Sequence, residues 1–332
     1  MTLNMRDPIR LGIVGTNFIS DWLMEAAAQC KDEILPVAVY SRTEEKGAAF
    51  AKKHGLPYVF TDYDAFVKSA EIDAVYIASP NICHAPQSIL AMQNAKHVLC
   101  EKAICEDSDA LAKMIAVAKE NGCVLLEAMR PVFDPFLDTV KKEMQKIGKV
   151  RRVILDYCQY SSRYDRFRGG IIENAFDPTL ANAAVMDIGI YPLHICASLF
   201  GAPKRISSMS TILENGFEGA GHVLLDYGNS KAEISYSKIT ESITPSVIMG
   251  EDGAIAFGKL NAPPYIHRYL RVNKWQKEIL PFTPAKNNMV FELLAFADLI
   301  RTKCISHPYL NASEITMRMV DEIRAQNNIR FS

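Results

Sequence analysis

GIVGTNFIS, residues 12–20, connects the first predicted strand of the chain to the first predicted helix. At such a junction, glycines let the backbone approach a pyrophosphate, which the helix N-terminus attracts. Gly15 stands at the first glycine of the dinucleotide-binding pattern, whereas Asn17 and Ser20 replace the second and third. Asparagine enters positive φ more readily than most residues, so we expect Asn17 to allow the turn. Alone, the motif is weak, because a plain strand–turn–helix shares it.

The strand–helix alternation that follows is more specific. Ala74–Ala78 is a continuous apolar run, typical of a parallel strand buried on both faces. Repeated strands and helices up to about residue 127 predict a doubly wound (Rossmann) parallel sheet. Beyond residue 128, strands cluster between helices, which indicates an α+β domain. The sequence therefore predicts an α/β protein with domains at 1–127 and 128–332.

Composition excludes several function classes. The net charge of -1 gives no electrostatic case for nucleic acid or an anionic membrane. No apolar window is expected to span a membrane, and the start of the chain, with Asp7 and Pro8, does not resemble a signal peptide. The cysteines lack zinc or disulfide spacing, so we expect reduced thiols in a cytoplasmic protein. His222 and His267 have no neighbours that suggest a metal, and we expect none.

The end of the second predicted strand indicates which dinucleotide binds. A carboxylate there usually bonds the ribose of NAD, but this sequence has Ser41-Arg42, with Lys46 one helical turn further on. A hydroxyl and two cations suit a 2′-phosphate, so we favour NADP, with NAD as the alternative. A solvated helix start would have the same composition. After the apolar strand, Asn81 is expected either to contact the ribose or to cap the next helix.

These stretches, together with Glu101-Lys102 and the run DIGIYPLH at 187–194, resemble the Gfo/Idh/MocA family of NAD(P)-dependent oxidoreductases nearly end to end. The run at 187–194 is most similar to the branch with dimeric dihydrodiol dehydrogenases and xylose dehydrogenases. The resemblance implies a second domain built on an open, mostly antiparallel sheet. It also implies that Lys102, in Glu101-Lys102-Ala103, lies by the nicotinamide and the substrate, and that Asp187 and Tyr191 join it.

The sequence departs from the family pattern in two places. Ala103 replaces a proline, and because a cis bond before a non-proline residue costs about 3 kcal/mol, we expect a trans bond there. Residues 180–184, LANAA, stand where relatives carry a glycine-rich stretch. We expect these side chains to narrow the mouth of the pocket or to re-aim the following helix.

The resemblance assigns roles to the remaining candidates. Lys102 and Tyr191 are the predicted proton-transfer pair, with Asp187 orienting Lys102; Pro192 can distort the helical face that Asp187 and Tyr191 share. Without the family context, Tyr191 would be a core aromatic. The predicted cofactor contacts are Gly15, Thr16, Asn17, Phe18, Ile19, Ser41, Arg42, Lys46, Ser79, Asn81, His84, Glu101, Lys102 and Arg130. His84 is favoured as a supporting residue, and an interdomain salt bridge is the alternative for Arg130. The predicted substrate contacts are Arg163, Tyr164 and His194, where a solvated basic loop is the alternative for Arg163.

The predicted function is hydride transfer between NADP and a sugar, polyol or diol and its carbonyl partner. A dinucleotide-binding regulator without turnover is the alternative. An open sheet face with residues such as Ile234 and Tyr236 would need covering, so we expect a homodimer.

Overall fold

A computed structural model describes residues 7–331 of the chain. Residues 1–6, which belong to the start predicted not to be a signal peptide, lie outside that range. The described chain divides into two compact units. Unit 1 comprises residues 7–130 and 287–311, and unit 2 comprises 131–286 and 312–331.

Strands and helices alternate along the chain up to residue 128. They are β1 (Ile9–Val14), α1 (Phe18–Ala27), β2 (Ile34–Tyr40), α2 (Glu44–His54), β3 (Tyr58–Phe60), α3 (Tyr63–Lys68), β4 (Ala74–Ile77), α4 (His84–Gln93), β5 (His97–Glu101), α5 (Ser108–Glu120) and β6 (Leu125–Ala128). A second set of strands, with further helices before and after it, follows: α6 (Arg130–Phe133), α7 (Pro135–Met144), β7 (Val150–Cys158), α8 (Tyr164–Arg168), α9 (Ile190–Phe200), β8 (Arg205–Ile212), β9 (Glu218–Asp226), β10 (Lys231–Ser237), β11 (Ser246–Gly250), β12 (Gly253–Phe257), β13 (Ile266–Leu270), β14 (Lys277–Ile279), α10 (Met289–Arg301) and α11 (Pro308–Asn327).

Unit 1 is built on a six-stranded parallel sheet in the order β3-β2-β1-β4-β5-β6. This is the strand order of a dinucleotide-binding fold, in which ligands bind beyond the carboxyl ends of the strands. All four residues of the central strand β4 are buried, as the continuous apolar run predicts. The predicted Rossmann fold is therefore confirmed.

Unit 1 also contains a segment that the predicted division assigned to the second domain. Asn287 donates from its side chain to the carbonyl oxygen of Trp22 at 2.8 Å, and Arg301 pairs with Glu33. His307 reaches the carbonyl oxygen of Leu125 at 3.0 Å through Nε2. The units therefore differ from the predicted 1–127 and 128–332 because residues 287–311 return to the first unit, and a return of this kind leaves no local signal in the sequence.

Unit 2 has an eight-stranded sheet in the order β14-β13-β12-β11-β7-β10-β9-β8. The pair β7–β10 is parallel, and the other pairs of described strands in this sheet are antiparallel. The mostly antiparallel sheet implied by the resemblance is confirmed. Strands β13 and β14 were missed, and α8 forms within a stretch that reads as a loop.

One face of this sheet is covered by α9 and by the turn that precedes it. Ile234 and Tyr236, both 1 % exposed, lie on that covered face. The prediction that these two residues lie on an open face is therefore wrong. Alternation along β10 separates the two faces of the strand, but it does not tell which face the rest of the chain covers. On strands β8 and β9, Met209 and Leu224 are exposed instead.

The stretch Pro178–Phe200 is long and apolar enough to cross a membrane by length and composition, contrary to the expectation that no window would be. Its most apolar window is 78 % buried within the structure. That burial is typical of the core helix of a soluble protein. All eight cysteines are free thiols, and five of them are buried.

Candidate active site

Gly15 ends β1 in a conformation that requires glycine. Its φ is +101°, and a Cβ on it would lie 2.9 Å from the carbonyl oxygen of Ala78. Its amide donates to the carbonyl oxygen of Tyr40 at 3.2 Å. The ends of β1, β2 and β4 thus converge on this residue, and any side chain here would fill the space against Ala78.

Asn17 has a different role from the predicted one. Its φ is -92°, so it does not use positive φ, and it caps α1 instead. Its Oδ1 accepts from the amides of Ile19 and Ser20 at 3.1 and 3.2 Å, and its Nδ2 donates to the carbonyl oxygen of Ala78 at 2.8 Å. Asparagine is suited to a helix cap because its short side chain reaches the first free amides. Asn17, which stands in place of the second glycine, therefore connects the start of α1 to the end of β4 through hydrogen bonds.

Next to this cap, α1 presents an aromatic surface. Phe18 is 60 % exposed and packs edge-on against Trp22, with ring centroids 6.3 Å apart. The guanidinium of Arg130 lies 5.7 Å from the centroid of the Trp22 ring. Arg130 thus contacts the helix of the glycine turn, while Thr16 lies in the turn itself.

The residues after β2 include two exposed cations. Ser41 is buried, and its Oγ lies 3.5 Å from the amide nitrogen of Thr43, which donates to it. Arg42 and Lys46 are exposed, and within residues 7–331 neither side chain makes a hydrogen bond or an ion pair. No carboxylate occupies residues 40–43. The residues present therefore fit a 2′-phosphate.

The turn after β4 supports the segment that holds Lys102. Ser79 donates from Oγ to Gln87 at 2.6 Å. His84 is 1 % exposed, with Nδ1 2.8 Å from the carbonyl oxygen of Ala103 and Nε2 2.9 Å from that of Ser79. Burial lowers the pKa of His84, while the two carbonyls act in the opposite direction. Asn81 lies in a 3-10 turn, and the N-cap of α4 is Cys83, so Asn81 does not take the N-cap position.

Lys102 follows β5 directly, at the same edge of the sheet. The peptide bond between Lys102 and Ala103 is cis, so the prediction of a trans bond is wrong. The prediction used only the free-energy cost of a cis bond before a residue other than proline. In the structure, side chains that are distant in sequence bond the backbone on the C-terminal side of this peptide bond. The carbonyl of Ala103 faces His84, and the amide of Ile104 donates to Glu127 Oε1 at 3.1 Å.

Glu101, which precedes Lys102, and Glu292 on α10 are two buried carboxyl groups whose charges interact. Glu101 accepts from the hydroxyl of Tyr76 at 2.6 Å and from the amide of Lys102 at 3.3 Å. Burial raises the pKa of Glu101, although Tyr76, Lys102 and Arg130 act against that shift. Glu292 on α10 is fully buried, and burial and the charge of Glu101 raise its pKa well above the usual range. Glu292 was missed, although an acidic residue in the apolar stripe of a helix is a usable signal.

In unit 2, Asp187 lies in a π-helical turn, Val185–Gly189, directly before α9. The i, i+4 face predicted for Asp187 and Tyr191 assumed a regular α-helix. Pro192 has no amide to donate to residue 188, so regular hydrogen bonding cannot continue there. Such π turns are frequent at functional sites.

Asp187 has a partner that no local sequence pattern indicates. Its Oδ2 lies 2.8 Å from Nζ of Lys238, whose side chain is 4 % exposed. Lys238 follows β10, far from Asp187 along the chain, and no spacing rule connects the two. That Asp187 orients Lys102 stays a prediction; within unit 2, its carboxylate contacts Lys238.

A buried carboxyl group, that of Glu218, bonds the first residue of the π turn. Glu218 accepts from the amide of Val185 at 2.7 Å, and also from the hydroxyls of Ser210 and Tyr236 at 2.6 and 2.7 Å. Burial raises the pKa of Glu218, and these three donors oppose that shift. A Cβ on Gly189 would lie 3.0 Å from the ring of Tyr236. The glycine of the Asp-x-Gly-x-Tyr motif therefore allows the close approach of the turn to β10.

Two further predicted site residues, Tyr191 and His194, are buried in unit 2. Tyr191 is 5 % exposed and packs edge-on against Tyr157. His194 is 1 % exposed, and its ring nitrogens lie 3.3 Å from the hydroxyl oxygens of Ser198 and Ser313. This burial argues against the predicted substrate contact of His194.

The other two predicted substrate contacts, Arg163 and Tyr164, lie at the start of α8. Arg163 is exposed and pairs with Glu173 at 3.3 Å, in agreement with the alternative of a solvated basic loop. Tyr164 stacks on Phe176 with ring centroids 5.7 Å apart. Ala181 has φ +58° and is fully buried, as are Ala183 and Ala184. These three methyl groups therefore pack in the core of unit 2.

Comparison with known proteins decides the family. The family described as "Oxidoreductase family, NAD-binding Rossmann fold" matches residues 9–129, and the "GFO/IDH/MocA C-terminal domain" matches residues 141–256. The scyllo-inositol 2-dehydrogenase (NADP(+)) IolU of Bacillus subtilis (strain 168) is 40 % identical, over 97 % of this chain and 98 % of its own. The chain belongs to the Gfo/Idh/MocA oxidoreductase family.

Two further proteins match over nearly the whole length of the chain. The trans-1,2-dihydrobenzene-1,2-diol dehydrogenase of Mus musculus is 26 % identical, over 97 % of this chain and 98 % of its own. KijD10, a 3-ketoreductase from Actinomadura kijaniata solved with NADP and TDP-benzene, superposes with a TM-score of 0.83 at 21 % identity, covering 97 % of this chain and 98 % of that one. This last likeness shows the fold.

The family and the relatives named as dehydrogenases or reductases make the protein an NAD(P)-dependent oxidoreductase. Unit 1 brings most of the predicted cofactor residues to the carboxyl ends of β1, β2, β4 and β5. Unit 2 brings Asp187, Lys238 and Tyr164 around one aromatic cluster.

Proposed function

We propose that the protein transfers a hydride between NADP and a sugar, polyol or diol and its carbonyl partner, with Lys102 and Tyr191 handling the proton. The observation that carries this proposal is the position of Lys102. It follows β5 at the sheet edge where the glycine turn of β1 and the cations after β2 also lie. In this fold that edge binds the dinucleotide.

The preference for NADP over NAD rests on Arg42 and Lys46. An exposed guanidinium and an exposed ammonium would neutralise a 2′-phosphate, and a guanidinium can bond it through two parallel hydrogen bonds. Gly15 would leave room for the pyrophosphate at the N-terminus of α1. The NADP named for the inositol dehydrogenase and bound to the ketoreductase supports the same cofactor.

NADPH, when bound, supplies the hydride that reduces the carbonyl carbon. The developing alkoxide then needs a proton, and an ammonium or a phenol can donate it. Lys102 lies next to Glu101, whose carboxyl group accepts from the amide of Lys102. Tyr191 is the second candidate donor, four residues after Asp187. In the oxidative direction, the same groups accept the proton of the alcohol.

The cofactor assignment is tested by fluorescence titration of the protein with NADPH and NADH. Removing a charge-assisted contact to a phosphate costs about 1.5–3 kcal/mol, or roughly 10- to 150-fold in affinity. Arg42→Ala is expected to weaken NADPH binding in that range and to leave NADH binding within about twofold. Tighter binding of NADH by the unaltered protein would refute the NADP assignment.

The reaction is tested by following NADPH absorbance with a panel of aldoses, inosose-type ketones and diketones. The proposal requires oxidation of NADPH by at least one carbonyl of the panel. NADPH binding without oxidation by any of them would refute it.

We also propose that the protein is a homodimer. The sequence argument for a dimer was an open sheet face with Ile234 and Tyr236, and it no longer holds because both residues are buried. The exposed Met209 and Leu224 on β8 and β9 give a different one, since exposed apolar side chains on a sheet face mark association surfaces. Light scattering of the unaltered protein and of Leu224→Glu should give a dimer and a monomer, respectively.

A further inference from the structure

Lys238 is a buried lysine with a complete set of partners. Its Nζ donates to the carbonyl oxygen of Ala175 at 2.6 Å and lies 2.8 Å from Asp187 Oδ2. The same atom lies 4.8 and 5.1 Å from the ring centroids of Phe176 and Phe217. A carboxylate, a carbonyl and two aromatic faces together compensate for removing an ammonium from water.

The backbone on either side of this lysine is fixed as well. The amide of Lys238 donates to the carbonyl oxygen of Gly219 at 2.9 Å, and its carbonyl accepts from the amide of Ser161 at 2.9 Å. Both ends of the ion pair are thus held, because Glu218 fixes the start of the π turn that carries Asp187. Neither side chain can turn away without breaking a buried contact.

The two partners differ in exposure. The side chain of Lys238 is 4 % exposed, whereas that of Asp187 is 37 % exposed. The ammonium of Lys238 is therefore shielded from solvent, whereas the carboxylate of Asp187 is partly exposed to it. Lys238 is itself too deeply buried to meet a substrate, so any influence it has on the reaction passes through Asp187.

We propose that Lys238 is a positioning residue of the reaction proposed above: it pairs with the carboxylate of Asp187 and holds it in one orientation relative to Tyr191. The inference rests on the proposed function, in which Asp187 and Tyr191 belong to the active site. It assigns the Asp187 carboxylate a partner within its own unit.

The test is a double-mutant cycle of Lys238→Met and Asp187→Asn, with Lys231→Met as the matched control. Lys231 lies on β10 and pairs with Asp226 on the surface. Loss of a positioning contact is expected to lower kcat by about 10- to 100-fold. NADPH affinity should remain within about twofold, because the cofactor residues lie in unit 1.

Because Lys238 acts through Asp187, the double variant should be no more than about threefold slower than Asp187→Asn alone. The acidic limb of the kcat/KM profile should move to higher pH in Lys238→Met, since the carboxylate has lost its cation. A merely structural role would not move that limb. If Lys238→Met does not fold, Lys238→Arg keeps the charge, and the inference requires it to retain the unaltered acidic limb.

Three results would overturn the inference: kcat unchanged in Lys238→Met, losses that multiply in the double variant, or an unshifted acidic limb. These outcomes differ from failure of the proposed function. In that case the unaltered protein turns over no carbonyl of the panel, and this inference falls with the function.

Discussion

Replacing Glu292 by glutamine is expected to change how the stability of the protein depends on pH. Burial and the charge of Glu101 hold the pKa of Glu292 well above its usual range, while Arg130 only partly opposes them. Neither oxygen of the Glu292 carboxyl group has a hydrogen-bond partner in residues 7–331. The neutral acid is therefore favoured in the folded state, because a buried carboxylate without partners is costly.

The size of this pH dependence follows from the difference between the numbers of protons that the folded and unfolded states bind. Above pH of about 4.3 the unfolded chain releases this proton, whereas the folded protein retains it. A group whose folded pKa is raised stabilises the protein fully below the unfolded pKa, and this stability is lost as the pH rises towards the folded pKa. In that window, one proton changes the folding equilibrium constant about tenfold for each pH unit.

Glu292→Gln has the same shape and cannot ionise, so it should lack this dependence and become more stable than the unaltered protein as the pH rises. Urea unfolding at about pH 5, 6 and 7 measures the difference in slope. Potentiometric titration at about pH 6 should find that the unaltered protein releases about one more proton on unfolding. Glu120→Gln, exposed at the end of α5, is the matched control. Equal slopes and equal proton release in the unaltered protein and Glu292→Gln would refute the reasoning.

Three further changes have expected outcomes. Burial lowers the pKa of His97 to about 4, and the amide of Val124 donates to its Nδ1 at 3.0 Å. Stability present above pH of about 6.5 should therefore fall by about 2–3 kcal/mol as the pH falls towards 4, and His97→Asn should remove that dependence in acid unfolding curves. Gly189→Ala places a methyl group 3.0 Å from the ring of Tyr236. It should destabilise by about 1–3 kcal/mol in urea unfolding, and an unchanged midpoint would contradict this contact. Gly15→Ala, at φ +101°, should weaken NADPH binding by at least about tenfold in fluorescence titration, whereas unaltered affinity would show that the glycine is not required.

The sequence predicts the parallel sheet of unit 1 well because the signals for that sheet are local. The apolar run of β4, the glycine that ends β1 and the cations after β2 each lie within a few residues of the feature that they indicate. The cis bond at Lys102 was missed because the contacts that accompany it come from His84 and Glu127, which are distant in sequence.

Unit 2 shows the opposite case. The motif at 187–194 identifies Asp187 and Tyr191, but not Lys238, which reaches Asp187 only after the strands have paired. Alternation along β10 assigns Tyr236 to one face of the strand. The π turn can cover that face only because Gly189 and Gly221 have no side chains, which leaves room for the Tyr236 ring. Such pairings are properties of the packed structure and not of a local pattern.

The central claim is that Lys102 provides the proton while unit 1 binds NADPH. The most direct measurement is the single-turnover rate of NADPH oxidation by stopped-flow absorbance, with the best carbonyl of the panel, in the unaltered protein and in Lys102→Ala. Loss of a proton donor is expected to slow this step by about 100- to 10,000-fold, with NADPH affinity within about threefold. Equal single-turnover rates in the two proteins would contradict the account.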